Sequence, residues 1–73
     1  MKYLKVKGKE LLRLRLENGL TQKEMAAKVN TTHSTISRAE QSKISINPKT
    51  ALSLCKALNC DFYEMFFILE GGK

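Results

Sequence analysis

The residues best equipped for chemistry crowd into one short run: Thr32, His33, Ser34, Thr35, Ser37 and Arg38. A hydroxyl both donates and accepts hydrogen bonds, an imidazole can do either, and a guanidinium offers its N–H donors in a rigid fork. That fork fits two adjacent acceptors, such as O6 and N7 of guanine, or a phosphate. Catalysis fits the same residues poorly. His33 has no nucleophile and acid arranged around it at a recognisable spacing, and Ser34, Thr35 and Ser37 belong to a helix read as exposed, without a pocket. The sequence contains no glycine-rich phosphate loop and no metal-ligand cluster. His33 is its single histidine, and Cys55 and Cys60 lie on or beside a different helix. No enzyme, cofactor, metal or small-molecule ligand is therefore expected; what remains is recognition by hydrogen bonds.

Presenting that run requires two short helices and a tight turn within TQKEMAAKVNTTHSTISRAEQ, residues 21–41. Thr21 is suited to cap the first helix, and Glu24 three residues on completes a capping box. Met25, Ala26 and Val29 have the apolar spacing of a helix face. Asn30 ends it, because Asn, after Gly, tolerates the left-handed conformation of a sharp helix exit. Thr31 and Thr32 offer a fresh cap, and only Ile36 and Ala39 are apolar in the helix that follows. A helix so polar has little to bury in a small core, so it is expected to face outward.

With Gln22 opening the first helix, Ala26 four residues later, Asn30 at the turn and Ile36 inside the second helix, this stretch resembles the helix-turn-helix of the Cro and phage-repressor family. The likeness reaches Arg15 and Leu20 on one side and Glu40 and ALSLCKALNCDFYEMF on the other, covering residues 8–67. Ala26 sits where the two helices would touch, and Val29 and Ile36 fill the wedge between them. Two positions depart from the family pattern. Asn30 replaces the usual turn glycine, and Ser42 stands where many relatives have glycine after the second helix, so that exit is expected to differ. The resemblance implies an all-α, five-helix repressor-like domain occupying residues 1–73, with the helix-turn-helix at helices 2 and 3.

It also implies which residues would meet double-stranded DNA. In this motif the second helix enters the major groove with its N-terminal residues toward the bases, the groove in which all four base pairs differ. His33 and Ser34 match the positions that enter first; a histidine merely solvated is the plain alternative. Arg38 is the leading base reader, a guanine contact worth ~1–3 kcal/mol of discrimination, with a phosphate contact or an ion pair as its alternatives. Ser37 completes the base-reading set. Thr21 and Gln22 match positions that meet the DNA backbone, where the positive end of a helix suits a phosphate. Gln41 and Lys43 match positions that clasp the strand beyond the second helix, and Thr32 contributes from its cap. Arg15 and Glu40 are implied to pair beneath the DNA face, a structural role.

The remaining chain supplies the frame. Residues 1–7 alternate, Leu4 and Val6 one way and Tyr3, Lys5 and Lys7 the other, which suggests a short strand. Its candidate partner is Phe66 to Leu69; a continued fifth helix or a frayed tail is the competing reading of that segment. Gly8 separates the strand from a first helix over Lys9 to Glu17, where Leu11 and Leu14 have the best core spacing and Leu12 or Leu16 is left for the terminal strand. Asn18-Gly19 ends that helix. Asn47 and Pro48 start a fourth helix running to about Leu58 and carrying Leu52, Cys55 and Leu58 as a buried stripe. Asp61 caps a short fifth, whose Phe62, Met65 and Phe66 close the core.

Seventy-three residues with 42% hydrophobic content make one small globular domain. Neither a membrane-length apolar run nor a secretory signal is visible, so a cytoplasmic location is expected. The net charge of +6 is uneven: residues 1–50 hold 11 Lys or Arg against 4 Asp or Glu, residues 51–73 hold 2 against 3. A basic front half that also contains the outward polar helix suits a polyanion. The expected function is a sequence-specific transcriptional regulator, a repressor of prophage or mobile-element type, acting as a homodimer at least on DNA. Phe67, Ile68 and Leu69 are the best apolar surface for self-association. The alternative is a protein-interaction module, such as an antitoxin or anti-repressor, on the same fold.

Overall fold

The structure, a computed structural model, describes residues 2–70. The chain runs β1 (Lys2–Val6), α1 (Gly8–Glu17), α2 (Gln22–Lys28), α3 (His33–Glu40), α4 (Pro48–Leu58), α5 (Phe62–Met65) and β2 (Phe66–Glu70). The strands form a two-stranded antiparallel sheet in which Leu4 opposes Ile68 and Val6 opposes Phe66. Of the readings open for the C-terminus, strand pairing is the one adopted. Phe66 thus belongs to β2 rather than to α5, yet still reaches the core and stacks on Phe62 at 5.1 Å between ring centroids.

Local signals set most boundaries. Thr21 accepts a hydrogen bond from Glu24 N (3.0 Å) while Glu24 accepts one from Thr21 N (2.9 Å), closing the capping box of α2. Asn30 and Asn59 take positive φ of 56° and 54° at the helix exits, a conformation Asn tolerates better than most residues. Asn47 caps α4 through Thr50 N (2.9 Å), with Pro48 in the first turn. Asp61 and Glu64 form a second capping box at α5.

One side of every helix meets the core: Leu11 and Leu14 of α1, Met25 and Ala26 of α2, Ile36 and Ala39 of α3, Ala51, Leu54, Cys55 and Leu58 of α4, and Met65 of α5. Leu4, Val6 and Phe66 close it from the sheet. Three sequence expectations need correction. Leu12 and Leu16 stay outside the core, 38% and 60% exposed, because a helix points only one side at it and Leu11 and Leu14 already occupy that side. Leu52 is exposed as well, and Ala51 and Leu54 take the buried stripe of α4 instead. Gly8 is not a spacer before α1 but its first residue, and it is buried.

The thiols belong to this frame. Cys55 is buried and Cys60 packs against the core, and both are free. Burial raises both thiols, Cys60 to about 12 with help from the neighbouring Cys55. Both therefore stay protonated at neutral pH, and a protonated thiol is a poor nucleophile and metal ligand.

Gly8 has a specific reason to be glycine. A Cβ there would collide with the backbone carbonyl of Glu40 and the hydroxyl of Ser42, at the end of α3. Ser42 takes φ 59° itself, so the exit of α3 keeps the geometry a glycine would give, contrary to the sequence expectation. The left-handed conformation costs a non-glycine residue roughly 1–2 kcal/mol. Two hydrogen bonds offset that cost: Ser42 Oγ accepts from Gly8 N (3.1 Å) and donates to Val6 O (3.4 Å). Gly8→Ala should destabilise the domain by roughly 1–3 kcal/mol through overpacking against backbone, and lower the thermal midpoint by at least ~4 °C. An unchanged midpoint in thermal unfolding would mean that α1 does not approach α3 this closely.

Candidate nucleic-acid interface

The outward helix is built from its cap. Thr32 accepts a hydrogen bond from Thr35 N (3.2 Å), and the two hydroxyls meet at 2.9 Å. From His33 the helix turns so that Ile36 and Ala39 are fully buried while His33, Ser34 and Arg38 are exposed. Ser37 and Thr35 are half-buried between those faces. At 100° per residue, positions 33, 34, 37, 38 and 41 fall within an arc of about 140°, opposite the two apolar residues. His33, Ser34, Ser37, Arg38 and Gln41 therefore share one solvent-facing side. Gln41, the C-cap, donates weakly to Ser37 Oγ (3.4 Å). Arg38 has no carboxylate partner among the described residues, so its guanidinium is available to an outside acceptor.

Beneath that face lies a buried polar network. Arg15 Nε donates to Glu40 Oε2 and Arg15 Nη2 to Oε1 (3.2 Å), the side chains being 10% and 7% exposed. Arg15 Nη1 donates to the carbonyl of Leu20 in the turn between α1 and α2 (2.8 Å). Gln22, in the first turn of α2, donates its amide to Glu40 Oε1 (2.9 Å). Three helices thus meet at one carboxylate. No buried side-chain polar atom among the described residues lacks a partner.

Of the residues expected at DNA phosphates, Thr32, Gln41 and Lys43 border α3, and Lys43 is exposed. Thr21 spends its hydroxyl oxygen and backbone N–H on the capping box. Gln22 is half-buried, and one of its amide hydrogens is committed to Glu40. Sequence reasoning missed that bond: two residues eighteen positions apart on different helices give no local signal. It also missed how close β1 and the start of α1 come to the exit of α3, where Lys5 bridges to Ser45.

A bundle that buries one side of α3, braces its end on a shared carboxylate and leaves a polar side to solvent defines a repressor-type helix-turn-helix domain. The chain belongs to the helix-turn-helix family, whose model matches residues 11–65. The P22 c2 repressor, solved in complex with synthetic operator 9T, superposes with a TM-score of 0.73 at 27% identity, covering 75% of this chain and 83% of that one. The restriction-modification controller protein C.AhdI from Aeromonas hydrophila gives 0.72 at 26% identity, covering 78% and 83%. The transcriptional regulator VanUg is similar in fold, with a TM-score of 0.68 at 22% identity over 94% of this chain and 91% of that one. No curated protein matches the sequence closely. No helix among the described residues is long and apolar enough to cross a membrane.

Removing Glu40 would strand a buried guanidinium. Glu40→Ala should cost about 3–5 kcal/mol of stability, the usual penalty for breaking a buried pair. Lys43→Ala, at an exposed site, should stay within about 0.5 kcal/mol. Urea unfolding of the two variants checks this; equal effects would mean that the network does not hold the helices together.

Proposed function

We propose that this chain is a sequence-specific transcriptional regulator of double-stranded DNA, a repressor of prophage or mobile-element type folded as a single domain over residues 1–73. One observation carries the reading: the exposed side of α3 bears His33, Ser34, Ser37 and Arg38 together, while the opposite side is locked in the core. A helix so mounted is free to enter a major groove. Arg38 reads guanine, His33 and Ser34 meet the bases that the helix N-terminus reaches first, and Ser37 supports them. Thr21, Gln22, Thr32, Gln41 and Lys43 hold phosphates on either side, Gln22 through the amide hydrogen that Glu40 does not use. Membership in the helix-turn-helix family and likeness to a repressor bound to an operator support this assignment and speak against an enzyme.

Occupancy would be the mechanism. A domain this small buries little DNA alone, and a homodimer spanning two half-sites ~34–36 Å apart can exclude polymerase from a promoter. The half-exposed Ile68 on β2, on the sheet face away from Lys5, suits the dimer contact. An exposed apolar side chain of this kind equally favours the rival reading, a domain that binds another protein. Salt decides between them, since phosphate neutralisation makes DNA affinity fall with the logarithm of salt concentration.

Selection from a random duplex pool should return a two-fold-symmetric motif with half-sites one helical turn apart. A pool that yields no motif, or binding unchanged between low and moderate salt, would favour the protein-binding reading. Within the selected motif, Arg38→Ala should relax preference at one base position by ~1–3 kcal/mol with the fold intact. Lys43→Ala should weaken binding to all sequences alike, and a shifted base preference would refute its phosphate role.

A further inference from the structure

Outside the helix-turn-helix, an open groove of about 400 Å³ lies between the start of α1 and the exit of α3, with Lys5, Lys7, Lys9, Ser42 and Phe67 in its walls. Two contacts bring these segments together. Gly8 N donates to Ser42 Oγ, and Lys5 forms an isolated antiparallel bridge with Ser45. The chain leaving α3 therefore runs beside β1. Ile46 is buried and Ile44 packs against the core, which turns the alternate residues Lys43 and Ser45 outward. β1 alternates likewise, with Leu4 and Val6 buried and Lys5 exposed. Lys43 precedes Ser45 by two residues, at most roughly 7 Å away even at full extension, so it stands close to the Lys5 bridge and is exposed like Lys5.

The charges there are unevenly committed. Lys7 donates to the carbonyl of Tyr63 (2.8 Å) and lies over the ring of Phe67 at 4.8 Å from its centroid. Glu10, the carboxylate in the groove wall, is already engaged by Arg13 at 2.7 and 2.9 Å. Lys5, Lys9 and Lys43 are exposed and have no carboxylate partner among the described residues. Unneutralised cations gathered on one surface create a positive potential that a polyanion relieves. An ammonium on a flexible four-carbon stem suits phosphates whose positions vary with sequence.

We propose that Lys5 and Lys9 form a second phosphate-contact track, continuing past Lys43 onto the DNA backbone that flanks the half-site. The proposal rests on the DNA-binding reading and extends it to residues outside the motif. The track fixes register and adds affinity without adding base preference, since phosphate contacts carry no direct sequence information. Its probe is fluorescence anisotropy with the selected duplex over a salt series. The Lys5→Gln/Lys9→Gln double variant should reduce the slope of log affinity against log salt by about 1.8, from 0.9 for each lost phosphate contact. Its base preference should match the parent chain. Lys9→Gln alone, at an exposed helix position, should lose about half as much slope and guards against a folding defect in the double variant. Lys56→Gln, on α4, should leave the slope unchanged. An unchanged slope in the double variant overturns the track. So does an equal fall in Lys56→Gln, which would mean that net charge matters and position does not. If the parent chain itself shows no salt dependence, the DNA reading falls first and takes the track with it.

Discussion

The arrangement depends on the carboxylate of Glu40. It closes α3, receives the guanidinium of Arg15 from α1 and the amide of Gln22 from α2, and has little exposure to water. A charge withdrawn from water is tolerable only when its lone pairs are occupied by well-placed donors. Here the donors come from two other helices, so satisfying the charge and fixing the angles among α1, α2 and α3 are one event. Arg15 adds the Leu20 carbonyl and ties down the turn that leads into α2. The outer side of α3 is thereby relieved of structural duty, and its polar residues are left for whatever approaches from solvent.

The two ends of α3 are secured by different means. Its start relies on local chemistry: Asn30 in the left-handed region and Thr32 as cap. Its exit relies on chain segments distant in sequence. Ser42 holds a positive φ and bridges to Gly8 and Val6, while Glu40 O packs where any side chain at position 8 would sit. The N-terminal strand thus does more than complete a small sheet: with β2 it roofs the core through Leu4, Val6 and Phe66, and with Ser42 and Ser45 it braces the far end of the exposed helix.

The cations divide along the same line. Arg15 is buried in the network, Arg13 is shared among Glu10, Glu17 and Glu64, and Lys7 is held by a carbonyl and a ring. These serve the fold. Arg38, Lys43, Lys5 and Lys9 are exposed and carry no carboxylate partner among the described residues, and they lie on α3, just past its exit and on the segment packed beside that exit.

Caps, helix stops and the helix-turn-helix were legible because their causes are local: Thr21 with Glu24, Asn47 with Pro48, Asp61 with Glu64, and asparagines where the backbone must turn left. The buried side of α3 was legible too, since only Ile36 and Ala39 there are apolar. In α1 helical spacing singled out Leu11 and Leu14 among four leucines, and both are buried; in α4 the expected stripe was misplaced, since Ala51 and Leu54 are buried and Leu52 is exposed. The bond from Gln22 to Glu40, the collision that a side chain at position 8 would cause and the bridge from Lys5 to Ser45 join residues far apart in the chain. Periodicity reports which side of an element is apolar, and capping chemistry reports where an element ends. Which partner each side finds is decided only when the elements compete for one shared interior and its few buried donors.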